Sequence, residues 1–256
     1  MLRQTILLVA VLQSGILCPA RADPLHPEMS WKSLDPREGI TVEKGSTLGS
    51  PFHGFRGTGI VAADIGQVIS VLFEHTRANE WVHALASSQQ LGNDQRGVVV
   101  WQRFDSPRPI KDRDFIYLAQ VDYDEEKQYF RAWFTDVSDT DIELANLEPP
   151  VVFDDSCCIV GKLIFTEWQF RATGQGSTCV RVEVMLDPNG RVPALFVNRF
   201  QRQWPYLTIQ GLRQQVTKTD VSRHELFGTW KADREGMVIS RNECEQGHLA
   251  ISSTSE

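Results

Sequence analysis

Residues 177–216 read STCVRVEVMLDPNGRVPALFVNRFQRQWPYLTIQGLRQQV, and this stretch decides the fold. Its first part alternates: Val180, Val182, Val184 and Leu186 fall on one side, Arg181 and Glu183 on the other. A period of two marks a strand with one buried face. Asp187-Pro188-Asn189-Gly190 is turn chemistry, because Pro presets φ and Asn or Gly accepts a left-handed residue. Residues 192–216 then read as a long helix with Pro193 in its first turn, where a missing N–H costs nothing. Leu195, Phe196, Phe200, Trp204, Leu207 and Leu212 recur along it at helical spacing. Pro205 interrupts that run and is expected to kink it. A long helix delivered by the last strand of an antiparallel sheet needs a sheet face to cover.

Upstream, the chain supplies such a sheet. Runs rich in β-branched and aromatic residues predict strands over 40–44, 52–62, 98–104, 114–123, 128–136 and 159–172. Asp64 is placed to cap a helix carrying Ile65, Val68, Ile69, Leu72 and Phe73. Two shorter helices are expected over 29–37, with Trp31 and Leu34, and over 75–82, with Trp81. Long loops are expected at 106–109 and 142–156. Successive short strands with helices towards both ends give an α+β domain rather than a βαβ array.

Residues 1–22 carry the marks of a secretory signal: Arg3, an apolar run over 6–12, and Ala20-Arg21-Ala22 as cleavage site. The apolar run is shorter than the roughly 20 residues of a membrane span. Removing 22 of 256 residues leaves a chain of 234, starting at Asp23, with 24 basic and 33 acidic residues. That balance, without a basic run, argues against nucleic acid and anionic lipid surfaces as partners. The expected division is a signal over 1–22, one domain over 23–218, and an extension over 219–256 that packs in part and ends disordered. A periplasmic or secreted location follows. Four cysteines then meet an oxidising compartment: Cys157, Cys158, Cys179 and Cys244. Adjacent Cys157 and Cys158 are poorly placed to pair with each other. Two readings stand, a bridge from one of them to Cys244 or free buried thiols. Their spacing does not suit zinc, and no metal or cofactor is expected.

Motifs for catalysis are weak. Gly57-Thr58-Gly59 resembles a dinucleotide fingerprint, yet it falls within a strand of an antiparallel run rather than before a helix. No Gly-x-Ser-x-Gly elbow occurs, His224-Glu225 lacks a second histidine, and the carboxylates are scattered. No catalytic residue is assigned.

Three segments carry a resemblance. Phe55-Arg56-Gly57, Asn79-Glu80-Trp81-Val82 and Arg113-Asp114-Phe115-Ile116-Tyr117 occur in the order found in START domains, the steroidogenic-acute-regulatory-related lipid-transfer family. The ending Leu186-Asp187-Pro188-Asn189-Gly190-Arg191-Val192-Pro193, then Phe196-Val197-Asn198-Arg199, is similar to theirs too. The likeness spans about residues 29–216. It implies a helix-grip fold, a curved antiparallel sheet wrapped around the long C-terminal helix, with an apolar tunnel for one lipid between them. Sterol-binding members carry a buried arginine four residues past the Phe of Arg-Asp-Phe. Ala119 stands there, so sterol specificity does not carry over.

On that basis the tunnel wall is expected to comprise Phe115, Tyr117, Ala119 and Val121 from one strand, Val180, Val182 and Val184 from the last, and Phe196, Phe200, Trp204 and Leu207 from the helix. Residues 106–110 and the C-terminal half of the kinked helix are the expected gate. Arg113 and Asp114 are expected to form a structural ion pair, and Asn198 to tie the helix to the sheet. The expected partner is a lipid or other hydrophobic small molecule, with a transient membrane contact, and the expected state is a monomer. A helix-grip enzyme on a hydrophobic substrate is the alternative; a His or Asp within hydrogen-bonding distance of Tyr117 would favour it. A module that uses the extension as a contact surface is the third reading.

Overall fold

The computed structural model describes residues 28–34, 36–137, 156–173, 176–227 and 239–246. The expected signal segment, residues 142–155 of the expected loop over 142–156 and the chain's last ten residues lie outside them. One sheet dominates, with ten strands among the described residues. They are β1 (Ser30–Ser33), β2 (Ile40–Ser46), β3 (Gly54–Val61), β4 (Leu85–Asp94), β5 (Gly97–Phe104), β6 (Asp112–Asp124), β7 (Tyr129–Asp136), β8 (Cys158–Val160), β9 (Lys162–Thr173) and β10 (Ser177–Asp187). Their order across the sheet is β1-β2-β3-β10-β9-β7-β6-β5-β4, all antiparallel, while β8 pairs in parallel with β6. Three α-helices accompany it: α1 (Ile65–Phe73), α2 (Ala194–Gln215) and the short α3 (Arg241–Glu245). A 3-10 turn, His75–Glu80, follows α1.

This is the helix-grip arrangement. The valines Val180, Val182 and Val184 of β10 are buried on its inner face and share a core with Ile209 and Leu212 of α2 and Ile65, Val68 and Ile69 of α1. The outer face of the same strands is polar and ion-paired. Arg56 bonds Glu43 at 2.5 Å and lies 3.8 Å from Glu183, and Arg131 holds Glu167 through two bonds of 2.7 and 2.8 Å. The alternation read in the sequence is therefore the sheet's inside and outside.

Two contacts seat α2. Pro205 sits within the helix, directly over Gly57 of β3, where a Cβ would lie only 2.8 Å from the proline Cβ. Gly57 serves backbone approach, not phosphate binding. Asn198 accepts from the His53 N–H at 2.9 Å and donates to Pro51 O at 3.0 Å, tying α2 to the β2–β3 connection.

Several expectations are corrected. The segment over 29–37 is not a helix: residues 30–33 form edge strand β1, with Trp31 opposite Gly45 and its ring under the Arg56 guanidinium at 4.2 Å. Strand β4 carries no strand signal because LASSQQLGND is mostly polar; its ladder to β5 makes it a strand. The expected strand over 159–172 divides at Gly161, where a Cβ would meet the Phe115 ring at 2.5 Å. Asp114 does not pair with Arg113, since neighbours on a strand face opposite ways. It pairs instead with Arg103, opposite in register, at 2.8 and 2.9 Å. Cysteine pairing differs too. Cys157 bonds Cys158, and the bridge to Cys244 comes from Cys179. Ile239 bridges Thr173, which brings α3 against the outer face of β10, where Cys179 lies.

Residues beyond 218 join the same core. Phe227 is fully buried among Phe73 and Phe130, at ring separations of 5.3 and 5.6 Å. Among the described residues, no helix is long and apolar enough to cross a membrane, and no group of three or more metal-ligating side chains occurs.

Candidate functional site

A cavity of about 980 Å³ lies between α2 and the half of the sheet formed by β4 to β7 and β9. That volume is at the top of the roughly 300–1,000 Å³ usual for small-molecule sites. Its position follows from the helix. After Pro205, α2 packs Ile209 and Leu212 into the core with β3 and β10. Before Pro205, Phe196, Phe200 and Trp204 span the cavity instead.

The wall is mainly aromatic and aliphatic. Tyr117 meets Phe134 edge-on at 5.1 Å, Phe104 meets Phe115 at 5.9 Å, and Trp204 meets Trp168 at 6.3 Å. Ala119 lies between Val98 of β5 and Phe134 of β7 in register, both longer than itself, so the wall is recessed there. Of the eleven residues expected on the wall, eight line the cavity: Phe115, Tyr117, Ala119, Val121, Val184, Phe196, Phe200 and Trp204. Val180 and Val182 share the inner face with Val184 but pack in the solid core beneath α1 and α2. Leu207 lies past Pro205 and packs against that same core. The expectation that the helix's C-terminal half forms the gate is corrected on the same ground: its N-terminal half covers the cavity.

Sequence reasoning missed a polar sector. Ser88 and Gln90 of β4 and Gln102 of β5 line the end of the cavity nearest the sheet edge, with Gln102 donating to Ser88 at 3.2 Å. Ser88 and Gln90 lie on β4, whose polar sequence carries no strand signal. His83 also lines the cavity, stacked on Phe200 at 5.9 Å, and burial holds its imidazole below the usual histidine range. Tyr117 is buried, and desolvation raises its phenol far above the ordinary value. No hydrogen bond joins the Tyr117 hydroxyl to a described residue, and Phe134 is its ring partner.

The mouth is framed by two partly exposed segments, residues 105–110 and 191–199. Arg113 joins them from behind. Its buried guanidinium donates to Lys111 O, to Asp112 O at 3.3 Å, to Pro188 O at 2.5 Å and to Asn189 O at 3.4 Å. Gln201 fixes the roof: its amide accepts from the Leu186 N–H and donates to the Leu186 carbonyl, both at 3.2 Å. That pairing occupies the point where the β9–β10 register shifts.

Comparison with known proteins places the fold. No family model matches the chain. An uncharacterized protein of Pseudomonas aeruginosa is 25% identical over 217 residues, 85% of this chain and 98% of that protein. Human STARD10 superposes with a TM-score of 0.62 at 15% identity, over 74% of each chain. The STAR-related lipid transfer protein of Xanthomonas axonopodis gives 0.58 at 19% identity, over 73% of this chain and 99% of that one. Human StAR-related lipid transfer protein 5 gives 0.60 at 17%, over 73% and 86%. The chain has the START-like fold.

Proposed function

We propose that this protein binds one lipid or comparable hydrophobic small molecule in the cavity beneath the N-terminal half of α2, for transfer or sensing. The observation that carries the reading is an apolar cavity of about 980 Å³ roofed by Phe196, Phe200 and Trp204. Burial of ligand surface there contributes on the order of 25 cal/mol per Å². The neighbours in fold include proteins named for lipid transfer, which agrees with this reading. The protein acts as a binder rather than an enzyme. Tyr117, the phenol in the wall, stays neutral near pH 7 and serves as a hydrogen-bonding contact, not as a base. It works in the periplasm or outside the cell, where two disulfides are at home.

The test is extraction of purified protein and mass-spectrometric profiling of what it carries, together with titration of a fluorescent lipid. Stoichiometric recovery of one lipid class and saturable uptake at one site are expected. A protein that carries nothing and takes up no hydrophobic probe would overturn the reading.

A further inference from the structure

The cavity's mouth differs in charge from the rest of the molecule. The chain as a whole is acidic, with a formal charge of −7. Four arginines elsewhere hold carboxylates: Arg56 with Glu43, Arg77 with Glu80, Arg103 with Asp114, Arg131 with Glu167. Arg108, Arg191 and Arg199 do not. All three line the cavity, all are exposed, and none has a carboxylate or hydrogen-bond acceptor among the described residues. One acid, Asp105, stands among the lining residues. Arg113 sits behind the rim with its donors committed to backbone carbonyls, so its charge adds to theirs.

Position gives this charge a use. Arg108 comes from the loop on one side of the mouth, Arg191 from the β10–α2 turn on the other, and Arg199 from the second turn of α2. Below them the wall becomes Phe115, Tyr117, Phe134 and Trp204. A molecule whose apolar part fills the cavity leaves its polar end level with three guanidinium groups. Low-dielectric walls focus such a field, and the guanidinium fork matches carboxylate and phosphate oxygens.

We infer that the occupant is an anionic amphiphile, its carboxylate or phosphate head held at the rim by Arg108, Arg191 and Arg199 and its apolar chain in the cavity. This rests on the binding reading above and adds the head's charge and its outward orientation.

The experiment uses the full chain and cis-parinaric acid as fluorescent probe, displaced by hexadecanoic acid, hexadecyl phosphate or hexadecanol. Both anions are expected to compete roughly tenfold better than the alcohol, the sum of three modest exposed ion contacts. That preference should shrink as salt rises, and collapse in R108Q/R191Q/R199Q. The order of the two anions identifies the head as carboxylate or phosphate. Equal competition by acid and alcohol against a probe that does bind overturns this inference and leaves the cavity reading standing. Failure of the probe to bind in any form overturns both. A preference that survives in the triple variant overturns the assignment to these arginines. So does equal competition combined with arginine-dependent sedimentation on phosphatidylglycerol vesicles, since the rim would then serve a membrane surface.

Discussion

Arg113 donates to the carbonyl of Pro188 at 2.5 Å across 75 residues of sequence, and so joins the start of β6 to the turn that launches α2. The same guanidinium holds Lys111 and Asp112 on its own side of the mouth and Asn189 on the other. An arginine is needed because its planar fork reaches several carbonyls at once, which an ammonium cannot.

Arg113→Met should therefore leave the buried Pro188 carbonyl, and the partly buried ones of Lys111, Asp112 and Asn189, without this donor. A loss of about 1–3 kcal/mol is expected, measured by urea denaturation, with weaker lipid uptake as the rim loosens. Arg113→Lys should recover less than half of that stability. Full recovery by lysine would mean that charge alone, and not the fork, matters here.

Gly57 gives a second prediction. A methyl group there would stand 2.8 Å from the Pro205 Cβ and 3.1 Å from the Ile209 Cδ1. Neither neighbour is the free end of a flexible chain, so α2 must lift or the strand must bow. Gly57→Ala should cost about 1–3 kcal/mol, as overpacking does in other cores. A melting temperature equal to that of the parent would show that helix and strand have more play than their contact implies.

Acid should destabilise the fold in a definable window. Burial lowers His53, His83 and His224 below the ordinary value of 6.5. The unfolded chain then binds protons at a higher pH than the folded one, so stability declines as pH falls through about 6.5. Carboxylates held low by arginine partners, such as Glu80 and Asp94, act only below their own ordinary values of 4.5 and 3.8. Urea midpoints between pH 7.5 and 5.5 should fall, and His83→Phe should flatten the decline. An unchanged slope in that variant would remove His83 from the account.

What the sequence made legible is what periodicity encodes. The strand, turn and helix of residues 177–216 were readable because Val180 to Leu186 alternate and the helix carries apolar residues at regular spacing. Strand β1 reads as helical in sequence because Trp31 and Leu34 stand three apart; edge pairing with β2 overrides that spacing. The wall was only partly legible, and β10 explains why. Val182 and Val184 are equivalent in pattern, yet one packs in solid core and the other faces space. The difference is set by where the helix crosses the strand, which Pro205 and Gly57 decide together. The arginines at the mouth gave no local signal, because being unpaired is a property of neighbours far away in sequence.

Ala119 provides the sharpest test of where the cavity lies. Phe115, Tyr117, Ala119 and Val121 share one face of β6, all four line the cavity, and alanine is the smallest of them. Its register partners Val98 and Phe134 line it as well. An indole at this position would project into about 980 Å³ of space rather than into packed atoms. Ala119→Trp should therefore abolish uptake of a fluorescent lipid while the melting temperature shifts by no more than a few degrees. Val182→Trp is the contrasting case, on an inner-face residue with no exposed surface in the solid core. There the same side chain should cost about 1–3 kcal/mol or more, because cores at native density do not accept added volume. The pair separates cavity from core in one experiment. If Ala119→Trp unfolds like Val182→Trp, the wall of β6 is solid; if it folds and still takes up lipid normally, the ligand lies elsewhere.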